Sequence, residues 1–270
     1  MRRTPLSISG RTVAITGGAR GIGLATAQAL RSRGARVVIG DLDPAGVEDG
    51  HVLDVTDRAS FAAFLAAAGE VDVLVNNAGV LHVGPFLEEP EAWTRRQIEI
   101  NLIGVINGMQ VALPAMIARG GGHVVNVASA ASKIGVRNEA VYSATKHGVY
   151  GVSEGVRHEL RGTGVHLSVI MPGLVRTELS EGTLDAKGIV VLTPEDVADA
   201  IVGTLERPRF DVFVPRSYGV LFRTLAPLPR PVREAVLRLT GSERPTAGTT
   251  RAARAHYEER IAALFDRRKS

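Results

Sequence analysis

The sequence predicts an α/β fold, a single domain built on a doubly wound parallel sheet of about seven strands flanked by helices. Two observations favour this class. Short β-branched runs alternate with longer segments of helical periodicity, which is typical of repeated βαβ units. The strand candidates are also apolar throughout, as expected for strands that are covered on both faces. A chain of 270 residues is long enough to bury the core of such a domain.

The predicted strands, in chain order, are residues 12–16, 36–40, a weaker strand at 51–55, then 71–75, 123–127, 165–170 and 211–214. The helical segments between them are residues 22–32, 60–68, 91–119, 142–160 and 194–205. The last of these helices begins with Thr193-Pro194-Glu195-Asp196, which combines an N-cap residue, proline at the first helical position and early acidic residues. Right-handed crossovers between successive strands then give the doubly wound arrangement.

The composition excludes several classes of protein. With 45% hydrophobic and 22% charged residues, the chain is neither disordered nor collagenous, and the absence of cysteine excludes a disulfide scaffold or a thiolate metal site. No apolar run reaches the length of a membrane span, and the N-terminal segment lacks the apolar stretch of a signal peptide. We therefore expect a cytoplasmic protein.

The positive charge lies in the last quarter of the chain. Residues 1–206 carry 18 Lys and Arg against 22 Asp and Glu, whereas residues 207–270 carry 14 against 6. Basic segments bind nucleic acid or anionic membrane surfaces, but no nucleic-acid-binding module is recognisable, so we expect no nucleic-acid partner. Apolar residues at helical spacing within 218–239 fit two interpretations: an amphipathic segment that contacts a membrane or gates an entrance for a lipophilic substrate, or a helix packed on the core or a partner subunit.

A glycine-rich turn follows the first predicted strand. It reads Thr16-Gly17-Gly18-Ala19-Arg20-Gly21-Ile22-Gly23 and runs directly into a helix. Glycines permit a tight turn and a close approach of pyrophosphate to the backbone, and the helix start supplies N–H groups and partial positive charge. The spacing G-x-x-x-G-x-G differs from the G-x-G-x-x-G fingerprint, and the Gly-Lys pair of a P-loop is absent. The turn predicts a dinucleotide site, with a turn that binds no ligand as the alternative.

Two charged residues give opposing indications about the cofactor. Asp41 ends the second strand, where a carboxylate binds the ribose 2′-hydroxyl of NAD and repels the 2′-phosphate of NADP. Arg20, inside the glycine turn, is of the residue type that pairs with such a phosphate. We favour NAD because Asp41 stands at the strand tip that meets the ribose. NADP remains the alternative, as does a loop-capping role for Asp41.

A serine, a tyrosine and a lysine predict proton transfer at a substrate oxygen. Tyr142 and Lys146 are four residues apart and therefore share one face of a helix. An ammonium beside a phenol favours the phenolate and lowers the pKa of the tyrosine. Ser129, at the end of the preceding strand, is placed to hydrogen-bond a substrate oxygen that Tyr142 protonates or deprotonates. The histidines show no metal-ligand spacing, and we expect no metal site.

With these motifs, the sequence resembles the short-chain dehydrogenase/reductase family over about residues 10–206. The glycine turn matches the family's T-G-x-x-x-G-x-G motif. Ser129, Tyr142 and Lys146 match its catalytic serine and Y-x-x-x-K motif, and Asn101 matches the helix asparagine that holds a water in a proton relay. The resemblance implies a Rossmann-type sheet and a nicotinamide cofactor.

The motifs and the resemblance together predict a set of cofactor-binding residues. The N-N-A-G sequence at 76–79 matches the motif that follows the fourth strand of the family, Asp54 matches an adenine contact, and the segment 172–177 matches the one that holds the nicotinamide. The full set is Gly17, Arg20, Gly21, Ile22, Gly23, Asp41, Asp54, Val55, Asn77, Ala78, Gly79, Tyr142, Lys146, Pro172, Gly173, Val175 and Thr177.

The resemblance also implies a mechanism. Hydride passes between the nicotinamide and the carbinol carbon of the substrate, and Tyr142 acts as the base in alcohol oxidation or the acid in ketone reduction. Lys146 lowers the pKa of Tyr142 and binds the nicotinamide ribose, Ser129 orients the substrate oxygen, and Asn101 completes the water relay. The function predicted is an NAD-dependent oxidoreductase that acts on a secondary alcohol or ketone. The alternatives are a non-catalytic dinucleotide-binding regulator and an NADP-dependent ketone reductase.

The end of the chain departs from the family pattern. We divide the chain into residues 1–206, the dinucleotide-binding and catalytic part, and residues 207–270, the last strand plus a basic, partly helical extension of the same domain. We expect the extension to be loose after Gly241 and helical again near residues 251–268. The Asp-Gly-Gly turn that many members use in tetramer contacts is missing, so a homodimer through the long helices competes with a homotetramer.

Apolar residues of the extension and of the segment 178–191 favour a hydrophobic small-molecule alcohol or ketone as the substrate. The same basic extension allows a peripheral contact with a membrane surface.

Overall fold

A computed structural model describes residues 7–183, 190–239 and 251–266. The strands are β1 (Thr12–Thr16), β2 (Arg36–Asp41), β3 (Gly50–Val52), β4 (Val73–Asn76), β5 (Gly122–Val127), β6 (Val165–Pro172) and β7 (Asp211–Val214). The helices are α1 (Gly21–Arg31), α2 (Arg58–Ala68), α3 (Glu91–Ile98), α4 (Gly104–Ala118), α5 (Ala140–Glu159), α6 (Pro194–Glu206), α7 (Arg216–Leu225), α8 (Arg230–Leu239) and α9 (Arg251–Asp266).

The seven strands form one parallel sheet in the order β3-β2-β1-β4-β5-β6-β7. The strand order reverses at β1 and β4, which is the switch point where doubly wound sheets bind ligands beyond the carboxyl ends of the strands. This arrangement confirms the predicted fold class. The weak third strand is shorter than predicted and lies earlier, because its pairing to β2 begins at Gly50 and ends at Val52.

Helices cover both faces of the sheet and enclose two apolar layers. One layer includes Phe61, Leu74 and Met116, and the other includes Ile15, Leu30 and Ile201. All six of these side chains are almost completely inaccessible to solvent. A central parallel strand therefore contributes apolar side chains to both faces, which explains why the strands lack a polar alternation.

The long helix predicted at 91–119 is interrupted. A single turn of π-helix (Glu99–Ile103) separates α3 from α4. Such turns are frequent at functional sites, and this one contains Asn101, whose side chain is fully buried. The run 91–118 is also the only helix in the described ranges with the length and apolarity of a membrane span, but its apolar side chains Val105, Met109 and Met116 are buried in the core.

The C-terminal part of the chain adds one strand and three helices. β7 pairs with β6 at the edge of the sheet, and α7 packs against β7. α8 exposes most of its surface, including Val232 and Leu239. The expected loose stretch after Gly241 lies outside the described residues, as does part of the segment 178–191, whereas the expected terminal helix is present as α9.

Candidate active site

A cavity of about 300 Å³ opens beyond the carboxyl ends of the central strands. The structure places nearly every predicted site residue on its wall, from the glycine turn after β1 to the segment after β6. Two predicted residues lie outside the wall. Gly23 sits beneath the glycine turn, and Asn101 is buried behind the wall.

The glycine turn is packed so closely that two of its positions exclude any side chain. Gly17 has a φ of 63°, and a Cβ there would lie 2.7 Å from the Cα of Ala78. A Cβ on Gly23 would lie 2.3 Å from the carbonyl oxygen of Gly17, because the first turn of α1 packs directly against the glycine turn. The Asn77 side chain donates hydrogen bonds to the carbonyls of Thr16 and Gly17, at 3.0 and 2.9 Å, which holds the turn against the loop after β4.

The start of α1 fits a pyrophosphate. Arg20 precedes the helix, and its side chain makes no capping hydrogen bond. The N–H groups of the first turn have no acceptor within the helix, and together with the helix dipole they form a site for an anion. The residues present therefore fit the phosphate part of a dinucleotide.

Asp41 and Arg20, which gave opposing indications in the sequence, point to different parts of the cavity. Asp41 is half-buried at the tip of β2, and its Oδ2 accepts a hydrogen bond from the N–H of Ala19 at 3.1 Å. Arg20 extends toward the segment after β6, where its Nη1 lies 3.5 Å from Oε2 of Glu178. The guanidinium of Arg20 is thus paired with a carboxylate of this chain.

The three catalytic candidates meet at the other end of the cavity. Ser129 follows β5 and Tyr142 lies in the first turn of α5, and the two side chains are hydrogen-bonded to each other. Lys146, one turn further along α5, donates a hydrogen bond from Nζ to the carbonyl of Val127 at 3.0 Å. Its Nζ lies 5.6 Å from the centre of the Tyr142 ring. The spacing of four residues does place both groups in one site.

The expected lowering of the pKa of Tyr142 is not found. Burial raises the pKa of this phenol, and the nearby carboxylate of Glu139 raises it further, while the hydrogen bond with Ser129 opposes the change. Burial also lowers the pKa of Lys146 to about 8. Only 8% of Tyr142 and 4% of Lys146 is exposed to solvent, and desolvation is the largest influence on the pKa of each group.

Asn101 holds the loop after β4 by both ends of its amide. Its Oδ1 accepts the N–H of Val80 at 2.8 Å, and its Nδ2 donates to the carbonyl of Val80 at 2.9 Å and to Oγ1 of Thr145 at 3.3 Å. A Cβ on Gly79 would contact both Asn101 and Lys146, at 3.2 and 3.7 Å. Asn101 and Lys146 therefore approach the same side of Gly79.

Several cavity residues come from the C-terminal helices and were not among the predicted site residues, although gating of an entrance was one of the two interpretations of the segment 218–239. Tyr218, Leu221 and Phe222 of α7 line the cavity, and so do four residues of α9, which are Tyr257, Arg260, Ile261 and Leu264. The positions in α9 repeat at helical spacing, which predicts a helix with one packed face. The spacing does not predict which surface that face covers, because the residues that α9 contacts lie more than 70 positions away in the chain.

Within the described ranges, no group of three or more histidine and acidic side chains is arranged to hold a metal ion.

Comparisons with known proteins agree on one family. A family model described as short chain dehydrogenase matches residues 11–188, which include all the predicted catalytic and cofactor residues. An uncharacterized oxidoreductase of Staphylococcus haemolyticus is 34% identical over 220 residues, which are 74% of this chain and 93% of the relative.

Solved structures of bacterial short chain dehydrogenases have the same fold. One from Burkholderia phymatum, in complex with NAD, has a TM-score of 0.72 and 26% identity, and the match covers 81% of this chain and 93% of that chain. Another from Burkholderia cenocepacia, in complex with NADP, has a TM-score of 0.76 and 28% identity, with coverage of 87% and 99%.

Proposed function

Because the chain belongs to the short-chain dehydrogenase/reductase family, it is an NAD(P)-dependent oxidoreductase, and we propose that it interconverts a hydrophobic secondary alcohol and its ketone with NAD as the preferred cofactor. The observation that supports this proposal is the meeting of Ser129, Tyr142 and Lys146 with the glycine turn and Asp41 in one cavity. The nicotinamide, when bound, supplies or accepts the hydride.

The chain's own residues then handle the proton and the orientation of the substrate. In ketone reduction, Tyr142 donates its phenolic proton to the carbonyl oxygen, and in alcohol oxidation it takes the hydroxyl proton. Ser129 hydrogen-bonds the same oxygen and holds it against Tyr142. Lys146 supplies positive charge that stabilises the phenolate, and Asn101 keeps the loop beside Lys146 in place through its three hydrogen bonds.

The cofactor preference follows from the two charged residues at the adenosine end. Asp41 presents a fixed carboxylate where the ribose binds, which suits the 2′-hydroxyl of NAD. Arg20, which was the argument for NADP, is engaged with Glu178. Both contacts support NAD.

The hydrophobic character of the substrate follows from the surroundings of Tyr142. Its ring packs in a cluster with Leu81, Ala131 and Val136, and the side chains of Ile134 and Leu179 pack against the same cluster. A substrate carbon skeleton that approaches Tyr142 therefore meets hydrocarbon, and polar groups of a sugar or polyol would lose water without gaining partners.

The test is NADH-dependent reduction of a panel of ketones, from 2-butanone and 2-decanone to cyclic ketones and hydroxyacetone, followed by the loss of NADH absorbance. We expect turnover to favour the hydrophobic ketones. Tyr142→Phe removes the proton donor and should lower kcat/KM by about 10²–10⁴-fold with little change in NADH affinity. Tyr150→Phe is the matched control, because Tyr150 lies on the same helix and packs against Phe210 outside the cavity.

Two results would contradict the proposal. Turnover of hydroxyacetone alone would remove the hydrophobic substrate. NADH binding without turnover of any ketone or alcohol would favour the non-catalytic regulator instead.

We also propose a peripheral membrane contact through α8. This helix exposes Val232 and Leu239, which are 47% and 88% accessible, beside Arg230 and Arg238. Exposed apolar side chains flanked by arginines suit the surface of an anionic bilayer. The full-length protein should float with vesicles of anionic lipid, and Leu239→Glu should weaken the flotation; equal recovery with neutral vesicles and with the variant would contradict the contact.

For the oligomer, we propose a homodimer in which α4 and α5 form the interface. Ile103 ends the turn before α4 and Ile117 lies within α4, and the two side chains are 39% and 43% exposed. An interface between the long helices of two copies would bury both. Light scattering of the full chain should give the mass of a dimer, and Ile117→Glu should shift it toward the monomer. A tetramer or a monomer in the unmodified protein would contradict this proposal.

A further inference from the structure

The terminal helix α9 presents one continuous face to the active site. Tyr257, Arg260, Ile261 and Leu264 follow the i, i+3, i+4, i+7 spacing of a single helical face, and all four line the cavity that contains Tyr142 and Ser129. We call these four residues the α9 wall. No residue of the α9 wall belongs to the part of the chain that the family model matches, which ends at residue 188.

A buried arginine fastens this helix to both edges of the cleft. Arg254 lies one turn before Tyr257 and has no exposed surface. Its Nη1 donates to the carbonyls of Leu179 and Glu181, at 2.8 and 3.0 Å, and its Nη2 donates to the carbonyl of Leu81 at 2.5 Å. Leu81 follows β4 and the other two residues follow β6, so that one guanidinium bridges two segments that contribute residues to the cavity wall.

Further contacts fix the rotation of α9. The Tyr257 hydroxyl accepts a hydrogen bond from the N–H of Leu81 at 3.2 Å, and its ring stacks on Trp93 with the centres 6.4 Å apart. Nδ1 of His82 lies 3.0 Å from Oε1 of Glu258. A helix that rotated about its own axis would break these contacts, and the α9 wall would no longer face the cavity.

At its outer end, α9 also reaches the segment beside the cofactor site. Nη2 of Arg260 lies 2.7 Å from Oε2 of Glu178, the carboxylate that Arg20 of the glycine turn approaches from the other side. The buried guanidinium of Arg254 is costly to desolvate. A helix that only packed on the core would not need such a charged contact, whereas a helix that has to keep a fixed position over a reaction site would.

We propose that the α9 wall is the substrate-specificity element of this enzyme: Ile261 and Leu264 bind the apolar body of the substrate, and Arg254 is the positioning residue that holds them over Tyr142. This inference rests on the proposed function, since it names the side chains that select the hydrophobic substrate. It follows that an extended or ring-bearing hydrocarbon contacts α9, while a small ketone reaches Tyr142 without touching it.

The test compares Ile261→Ala and Leu264→Ala with Leu87→Ala, a control of the same chemistry at a leucine that is 94% exposed and does not line the cavity. We expect each α9 variant to lower kcat/KM for 2-decanone about tenfold, the range for lost hydrocarbon contacts in a specificity pocket. Activity with 2-butanone and the Kd for NADH should change by less than about threefold. Equal losses with both ketones, or none with either, would overturn the proposal.

A second variant pair tests the anchor. Arg254→Met leaves the three carbonyls without their donor, and Arg254→Lys keeps the charge and restores part of the donation. We expect KM for 2-decanone to rise more in Arg254→Met than in Arg254→Lys, with kcat for 2-butanone preserved in both. A uniform loss of kcat with both ketones, equal in the two variants, would assign Arg254 to general folding and contradict the positioning role.

A readout that needs no turnover separates this inference from the proposed function. Trp93 is the single tryptophan of the chain and stacks on Tyr257, so binding of 2-decanone beneath α9 should change its fluorescence. If no ketone reacts but 2-decanone binds and Leu264→Ala weakens the binding, the proposed reaction fails and the α9 wall stands. If 2-decanone is reduced by the unmodified protein and the α9 variants reduce it equally well, the reaction stands and the α9 wall fails.

Discussion

Replacing Asp41 by asparagine should change the cofactor preference of the enzyme without disturbing the glycine turn. The Oδ2 atom of Asp41 accepts the N–H of Ala19 at 3.1 Å, and the amide oxygen of asparagine is able to accept the same bond. The substitution therefore removes the negative charge and keeps this bond to the glycine turn, while the longer bond that Oδ1 of Asp41 accepts from the N–H of Asp43 at 3.3 Å is lost. NADH and NADPH differ only at the ribose 2′ position, so any effect of the substitution on the turn would weaken the binding of both alike. Such an effect cancels in the ratio of their dissociation constants.

The size of the effect comes from two contributions. A hydrogen bond from the ribose hydroxyl to a carboxylate is stronger than one to a neutral oxygen by about 1 kcal/mol. A carboxylate and a 2′-phosphate about 4 Å apart repel by about 4 kcal/mol at an effective dielectric constant of about 20. Salt and the half-exposed position of Asp41 reduce this repulsion to about 1–2 kcal/mol. Together they correspond to a change of about 30-fold or more in the ratio of the two dissociation constants.

The assay is a titration of Trp93 fluorescence with NADH and with NADPH, on the unmodified protein, on Asp41→Asn and on Asp43→Asn. Asp43 is two residues further along, accepts the N–H of Ala45 and does not line the cavity, so its substitution should leave the ratio unchanged. We expect the unmodified protein to bind NADH more tightly. An unchanged ratio in Asp41→Asn, or a preference for NADPH in the unmodified protein, would refute the assignment of Asp41 and return the cofactor choice to Arg20.

Two further predictions follow from burial. Ketone reduction needs Tyr142 protonated and Lys146 charged. Because the pKa of the phenol is raised and the pKa of the lysine is lowered to about 8, kcat/KM for reduction should be constant below pH 8 and decline above it as Lys146 loses its proton. A pH profile that stays level to about pH 10 would contradict this. Phe61→Ala should lower the free energy of unfolding by about 3–5 kcal/mol, because Phe61 has no exposed surface and its truncation leaves a cavity. Phe86→Ala, at a site 65% exposed, should cost less than about 1 kcal/mol, and urea unfolding of both variants measures the difference.

Most of the fold and the catalytic end of the site were readable in the sequence because they depend on local signals. Strand β1, for example, begins and ends at the predicted residues, since a short apolar run bounded by a charged residue and a glycine turn has one plausible length. The glycine turn, Ser129 and the Tyr142–Lys146 pair stand at the ends of strands or within one helix turn. A parallel sheet brings such positions together by its topology alone.

Other features depend on the solvation and pairing of each group, which the sequence does not contain. The spacing of Tyr142 and Lys146 predicted a lowered pKa for the phenol, but the structure raises it, because the phenol is buried and lies near the carboxylate of Glu139. The π-helical turn at Asn101 was also missed. It is stabilised by hydrogen bonds between the Asn101 side chain and Val80, in both directions, and by a bond that Asn101 donates to Thr145; both partners are distant in sequence.

The sequence by itself determined the succession of strands and helices along the chain, the place of the glycine turn, and the residues Ser129, Tyr142 and Lys146 that meet in one cavity, because each is encoded within a few neighbouring positions. Only the tertiary structure decided that α9 returns to cover the active site and that Arg20 faces Glu178. Both depend on contacts between segments that are far apart in the chain. A helical pattern specifies which face of a helix is packed, and the surface it packs against is decided by the burial and hydrogen bonding of the whole fold.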